Sequence, residues 1–439
     1  MAAPFRPLRT SLILLTLLIA VAPIAQADIS QEQREKTYRQ LEVFSNILSI
    51  LQENYVEEID TQQAVDGAIR GLLLTLDPHS SYLTPEEFQE LQEETSGSFS
   101  GVGIEITIKD GILTVVSPIE GTPADRAGIK ANDLIVEIEG KKTKDMTSDE
   151  AIKLLRGSRG SKVSITIQRE GENALRPVTL TRDIIPLHSV KASFLTAGFA
   201  YFRITNFQNH TTRDFKQELS NLEKKDTIRG LILDLRNNPG GLLSQAVSIS
   251  DIFLKKGAIV STRGRTEDQN MVFQAHSTND DASMPIVVLV NEGSASASEI
   301  VAGAIQDHKR GVVVGTRTFG KGSVQTIIPL PDGSGLRMTT ARYYTPNNRS
   351  IQALGIAPDV EVSAGKESGQ EPPPDSEVRR EINLDNHMQG KDEAASPVTA
   401  IDPETKERLR NDPQLNTALN ILRSLEVFSS YGRMQANRQ

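Results

Sequence analysis

Three serines, Ser294, Ser296 and Ser298, stand in the run Asn291-Glu292-Gly293-Ser294-Ala295-Ser296-Ala297-Ser298-Glu299. An apolar stretch, Pro285 to Val290, precedes it, and a helical stretch over about 296–309 follows. The run therefore reads as a sharp turn from a buried strand into a helix. A hydroxyl there lies beside unpaired backbone N–H groups and the positive end of the helix dipole, where developing negative charge is favoured. Serines before a helix are equally ordinary caps, so the run needs a base before it reads as catalytic. His308, with Asp307 beside it, is tempting but sits roughly 18 Å along the same helix from Ser296 at a rise of about 1.5 Å per residue. His188, His210 and His276 lie in no distinctive motif.

Lys321 is the better base, in Thr318-Phe319-Gly320-Lys321-Gly322-Ser323-Val324-Gln325. Its flanking glycines let the backbone approach another element closely. Apolar strands on either side could desolvate the amine and lower its pKa, as a lysine base requires. A surface turn is the plain alternative. A phosphate loop fits poorly, because Gly322 stands where GxxxxGK[ST] needs Ser or Thr. Asp234-Leu235-Arg236-Asn237-Asn238-Pro239-Gly240-Gly241 joins another buried strand to a helix. Its paired glycines free backbone N–H groups to aim at one point, as an oxyanion hole requires, although alone it is also a tight turn.

Composition narrows the chemistry. The 439 residues contain no cysteine and six histidines. That excludes disulfides, a cysteine nucleophile, Cys-ligated zinc, iron–sulfur clusters and a lipid-modified cysteine, and no HExxH is present. Hydrolysis would have to run on hydroxyls, carboxylates, amines or backbone groups. No metal, nucleotide or other cofactor is implied. The net charge of −9 argues against broad nucleic-acid binding. With 38% hydrophobic and 24% charged residues, the length suits two to four globular domains.

The elements that must position these residues fall into blocks. Residues 1–27 read as a cleaved export signal: Arg6 and Arg9, an apolar stretch from Leu12 to Ala22, Pro23, and Ala25-Gln26-Ala27 for the peptidase. Its removal leaves a chain of net charge −11 with no further span, suited to the periplasm. Residues 28–96 form a helical region with a stripe of Leu41, Phe44, Leu48, Leu51 and Tyr55, and Thr84-Pro85-Glu86-Glu87 opens a second helix. Residues 97–184 form a compact β-rich module with one prominent helix, Ser148 to Leu155. Residues 185–363 alternate strands and helices, an α/β core. A solvated linker over 364–400 leads to a helical segment, 401–439, whose face of Leu415, Ala418, Leu419, Leu422 and Leu425 suits self-association or folding back. The fold class is multidomain α+β.

The set DLRNNPGG, GSASASE, TFGKGSVQ, Ala341-Arg342-Tyr343-Tyr344-Thr345-Pro346 and Gly355-Ile356-Ala357-Pro358-Asp359 resembles the carboxyl-terminal processing peptidases, tail-specific serine proteases with a PDZ domain. Leu76-Asp77-Pro78-His79-Ser80-Ser81-Tyr82 is similar to the stretch before that domain, and the resemblance spans about 35–362. It implies a crotonase/ClpP-like core and a Ser–Lys dyad. The family's nucleophile stands 25 positions before the lysine of FGKG, which maps to Ser296. Gln325 would orient the amine of Lys321, and backbone N–H groups of Gly241 or Gly240 and of Ala297 would hold the oxyanion. Asp307 matches an acid of some relatives, but the helix length makes it structural.

In the module at 97–184, Gly101-Val102-Gly103-Ile104 resembles a carboxylate-binding loop. The strand Ile104 to Ile108, with Ile106, would pair a peptide as an added strand. Ala151, Leu154 and Leu155 would wall the pocket for the last side chain. The expected activity is a periplasmic endopeptidase acting on proteins with exposed C-termini, a homo-oligomer through its terminal helices, with an adaptor protein as a further partner. A PDZ scaffold that no longer cuts is the rival, and an acyl-CoA enzyme of similar core architecture is a third class that the PDZ module and export signal disfavour.

Overall fold

The computed structural model describes residues 31–109, 111–144, 146–172, 174–277, 282–365 and 402–436. Residues 1–27, read as an export signal, and nearly all of the stretch 364–400, read as a linker, lie outside these residues. The chain divides into two units, 1–71 and 72–439. In the first, the helix Gln31–Asn54 buries no residue. Leu41, Phe44, Leu51 and Tyr55 of its stripe keep between 42 and 58% of their surface exposed.

The second unit opens with the strand Ser81–Leu83 and the helix Pro85–Ser96. The capping box read from Thr84 and Glu87 is present: Glu87 N–H donates to Thr84 Oγ1, and Glu87 Oε2 accepts from Thr84 N–H at 2.9 Å. Gly97 then ends the helix at φ 77°, a left-handed cap that favours glycine. A β-rich module follows. Strands Ile104–Lys109, Ile112–Pro118, Leu134–Ile138, Lys162–Gln168 and Arg176–Thr181 form an antiparallel sheet, and Lys141–Lys142 pairs with the third. The helix Ser148–Leu155 packs on it through Ala151 and Leu155.

The core holds a six-stranded sheet in the order Val190–Thr196, Phe199–Ile204, Gly230–Asp234, Ile286–Val290, Gly311–Gly315 and Val360–Glu361. The first pair is antiparallel and the rest are parallel. The apolar stretch before the serine turn and the buried strand before the glycine loop are its central strands, and every residue of Gly230–Asp234 and Ile286–Val290 is buried. Alternate side chains serve opposite faces, as the twofold period of a strand requires. Leu231, Leu233 and Val288 face the helices Thr211–Glu223, Leu243–Phe253 and Ala297–Asp307. Ile232, Val287 and Leu289 face the helix Pro413–Ala436.

The sequence left Leu415, Ala418, Leu419 and Leu422 open to self-association or to folding back. They fold back and are buried on the sheet, while Leu425, Val427 and Phe428 stay exposed. A second sheet joins Ser81–Leu83, Gly335–Tyr344, Ala258–Gly264 and Met271–Gln274, with Ser323–Pro329 also paired to Gly335–Tyr344.

Candidate active site

The serine turn connects the strand Ile286–Val290 to the helix Ala297–Asp307. Ser296 holds φ 54° and ψ −112°, a conformation that costs a residue with a Cβ about 1–3 kcal/mol and persists only where its surroundings impose it. The surroundings do impose it. Ser296 N–H donates to Glu299 Oε2 at 2.8 Å, and Ala295 N–H donates to Asn238 O at 3.0 Å. The three serines separate cleanly. Ser294 and Ser298 are fully buried, and their hydroxyls donate to Leu235 O at 2.8 Å and Asn238 O at 3.0 Å, tying the serine turn to the glycine loop. Ser296 instead lines a cavity of about 590 Å³.

Lys321, Gln325, Gly240, Gly241, Arg337 and Tyr343 line the same cavity. Burial lowers the pKa of the Lys321 amine, and the Arg337 cation lowers it further against the opposing pull of Glu299. His79 is lowered as well, by burial and then by Lys321, with Arg337 adding to it and Asp77 opposing. Gln325 Nε2 donates to Thr339 Oγ1 at 2.7 Å and to Ser323 Oγ at 3.3 Å, while its Oε1 is buried without a partner. Among the described residues, no hydrogen bond joins Ser296 Oγ to Lys321 Nζ.

Glu299 is the residue the sequence reading missed. It is fully buried on the first turn of the serine helix. Its Oε1 accepts from Thr318 Oγ1 at 2.6 Å and Gly320 N–H at 2.7 Å; its Oε2 accepts from Ser296 N–H and from Lys321 N–H at 2.9 Å. Burial pushes its pKa up, and these hydrogen bonds hold it down in part. One carboxylate thus fastens the backbone of the serine to the backbone of the lysine. The signal was available, since an acid three residues after Ser296 is the capping-box spacing.

The two glycines have different tasks. Gly240, at φ 105°, donates its N–H to Asn238 Oδ1 at 2.9 Å, so that donor is occupied. A Cβ on Gly240 would fall 2.8 Å from Ser296 Cβ, so the missing side chain is what lets the loop lie against the serine. Gly241, at φ 137°, keeps its N–H without a partner among the described residues, and a Cβ there would meet Phe207 O at 2.3 Å. Ala297 N–H, at the first position of its helix, is likewise without one. Asp307 and His308 sit at the far end of that helix. Asp307 accepts from Asn347 N–H and pairs with Arg349, and the His308 ring bonds Ala258 O at 2.7 Å.

In the β-rich module, Gly101, Val102, Gly103, Ile104 and Ile106 line a groove of about 260 Å³ closed by Ile152, Leu155 and Arg156. Leu154 and Ala151 do not line it. Leu154 faces a lysine-rich depression with Lys141 and Lys144, and Ala151 is buried in the module core. The helical period explains the correction, because residues 152, 155 and 156 share a face that 154 leaves. Arg156 stacks on Phe99 at 4.8 Å and reaches Glu93 of the helix Pro85–Ser96 at 3.5 Å.

Residues 198–362 match the model of peptidase family S41, residues 114–169 that of a PDZ domain, and residues 19–87 that of the activating protease CtpB N-terminal domain. The chain is 42% identical over 405 residues to a carboxy-terminal-processing protease of Bartonella bacilliformis, covering 90% of this chain and 91% of that protein. It is 37% identical over 313 residues to the carboxy-terminal processing protease CtpA of Bacillus subtilis, covering 71% of this chain and 66% of that one. Among solved structures, a photosystem II D1 C-terminal processing protease is 32% identical with a TM-score of 0.44, covering 76% of this chain and 94% of that one.

Proposed function

Because this chain belongs to peptidase family S41, the carboxy-terminal processing proteases with a PDZ domain, we propose that Ser296 is its nucleophile and Lys321 its general base. The observation that carries this is the strained Ser296 sharing one cavity with a half-buried lysine whose pKa is lowered. The neutral amine takes the Ser296 hydroxyl proton as the oxygen attacks the scissile carbonyl, then passes it to the leaving amine. The resulting ester is hydrolysed by a water that Lys321 deprotonates, and the proton returns to Ser296. Gly241 N–H and Ala297 N–H hold the oxyanion at each tetrahedral stage. Gly240 supplies the close approach rather than a donor.

Gln325 Oε1, buried and unpartnered, accepts from the amine and aims it at Ser296. A Ser–Lys contact of this kind tightens when substrate enters. The groove beside Ile104–Lys109 takes the chain terminus of a protein as an added strand, with its carboxylate in the loop 101–104. Export through residues 1–27 to the periplasm, the boundaries at 96, 184 and 363, and self-association belong to the same reading. The exposed stripe of Gln31–Asn54 and the exposed Leu425, Val427 and Phe428 support association, and an adaptor protein is a further partner. No described helix is long and apolar enough to cross a membrane.

The test is cleavage of an unfolded reporter protein by purified Ser296→Ala and Lys321→Met. Both should fold and lose cleavage, with Ser296→Ala retaining intact substrate. Undiminished proteolysis by either removes the assignment.

A further inference from the structure

Four buried side-chain polar atoms have no hydrogen-bond partner among the described residues, and two of them, Gln325 Oε1 and Arg337 Nε, belong to residues lining the active cavity. A third, Ser81 Oγ, lies directly across the sheet from Arg337. Gln325 is accounted for by Lys321. Arg337 enters the mechanism only through its field on Lys321, and Ser81 does not enter it at all.

Arg337 lies on Gly335–Tyr344, where it pairs with Ser81 on one side and Ile327 on the other. Alternate residues of a strand share a face. Arg337 and Tyr343 both line the cavity, and Thr339 between them holds Gln325, so this face of the strand is the wall of the site. Directly opposed residues on antiparallel strands put their Cβ atoms about 4.5–5.5 Å apart on one face, which places Ser81 and Arg337 side by side on the same face of the sheet. No ion pair engages that guanidinium among the described residues. Its cation acts on Lys321 and His79, two basic groups on which the acids Glu299 and Asp77 respectively also act.

A buried Nε–H without an acceptor is costly, and a guanidinium presents Nε–H and an Nη–H as a fork that fits a carboxylate. We propose that Arg337, with Ser81, forms a subsite for a carboxylate of the bound polypeptide close to the bond that is cut. The carboxylate would accept from Nε and Nη of Arg337 and from the Ser81 hydroxyl. This specificity role rests on the assignment of Ser296 and Lys321 above. The same carboxylate chemistry can come from an Asp or Glu side chain or from a chain terminus that ends inside the cavity.

The experiment uses the full chain and peptides cut at one known bond. One series carries Glu or Gln at each of the three positions on either side of that bond. A second ends within the cavity as a free acid or an amide. Wild type should favour the carboxylate at one position by about tenfold or more in kcat/KM, about 1.4 kcal/mol. The series showing the preference names the source. Arg337→Gln should reduce the ratio of acid to neutral peptide to about one, Arg337→Lys should keep part of it, and Ser81→Ala should lower it severalfold. Equal rates for every pair in wild type overturn the proposal even if Arg337→Gln fails to fold. An unchanged ratio in a folded Arg337→Gln overturns it too. Failure of the Ser–Lys assignment reads out separately, as cleavage of both members of each pair by Ser296→Ala.

Discussion

Glu299→Gln removes one negative charge at the point where the serine and lysine backbones meet, and its consequences can be worked from four hydrogen bonds. If the new amide keeps its oxygen on Thr318 Oγ1 and Gly320 N–H, its NH2 faces the N–H groups of Ser296 and Lys321, two donor–donor contacts. If it turns over, the NH2 faces Gly320 N–H and a Thr318 hydroxyl that already accepts from Ile356 N–H at 2.7 Å. The first arrangement loses two charge-assisted bonds at about 1.5–3 kcal/mol each, and the burial cost of the carboxylate is recovered, leaving about 2–4 kcal/mol of destabilisation. For a core of this size that lowers the melting temperature by about 5–15 °C. Activity should fall further than stability. A displacement of the serine relative to the lysine by about 1 Å costs on the order of a hundredfold in rate. The assay is kcat and KM on a peptide, with thermal melting of the same preparation. A Glu299→Gln variant that melts and cleaves like wild type would refute the reasoning that this carboxylate sets the Ser296–Lys321 geometry.

Other outcomes follow from the same contacts. Gly241→Ala places a Cβ 2.3 Å from Phe207 O at φ 137°, so kcat should fall by about 10²–10³ as the oxyanion donor is displaced, read by steady-state kinetics. The folded-state pKa of Lys321 is lowered from 10.5, so between the two values the unfolded chain binds more protons and stability rises with pH. Lys321→Met should therefore be inactive yet melt at or above wild type at neutral pH, the gap narrowing as pH nears 10.5. Arg236→Met leaves Asp234 and Asp412 without the cation that bonds both, costing about 3–5 kcal/mol, and should speed amide exchange across Leu415 to Leu422. Although burial pushes Asp412 up, hydrogen bonds from Arg236 and Leu415 N–H hold its folded-state pKa below 3.8. Its contribution is thus complete above that value and lost as pH falls through the folded pKa, so an acid titration should release the helix Pro413–Ala436 in wild type but less steeply in Asp412→Asn.

Local rules made much of this protein legible in its sequence. The helix Ser148–Leu155, the capped start at Thr84 and the fully buried central strands follow from period, cap and apolar run alone. Distance along a helix was enough to set His308 apart from Ser296, because helical rise is fixed by backbone geometry. The absence of cysteine excluded a thiol nucleophile on composition alone.

Other features depend on what lies across space, which no spacing encodes. Ser294, Ser296 and Ser298 are locally alike, and backbone acceptors from the distant glycine loop separate them. Gly240 and Gly241 are adjacent and identical, yet Asn238 occupies the N–H of one and leaves the other free. The stripe on the last helix suited a partner or the chain's own core equally, and the open face of the sheet decided it. Leu154 and Ile152 differ only in which side of one helix turn meets the groove. Arg337 acquires meaning only from its strand neighbours. Residue types and helical or strand periods are properties of the chain, so the sequence determined the elements and the available chemistry. Burial, hydrogen-bond occupancy and charge pairing are properties of packing, so only the tertiary structure decided which hydroxyl, which N–H and which cation face the cavity.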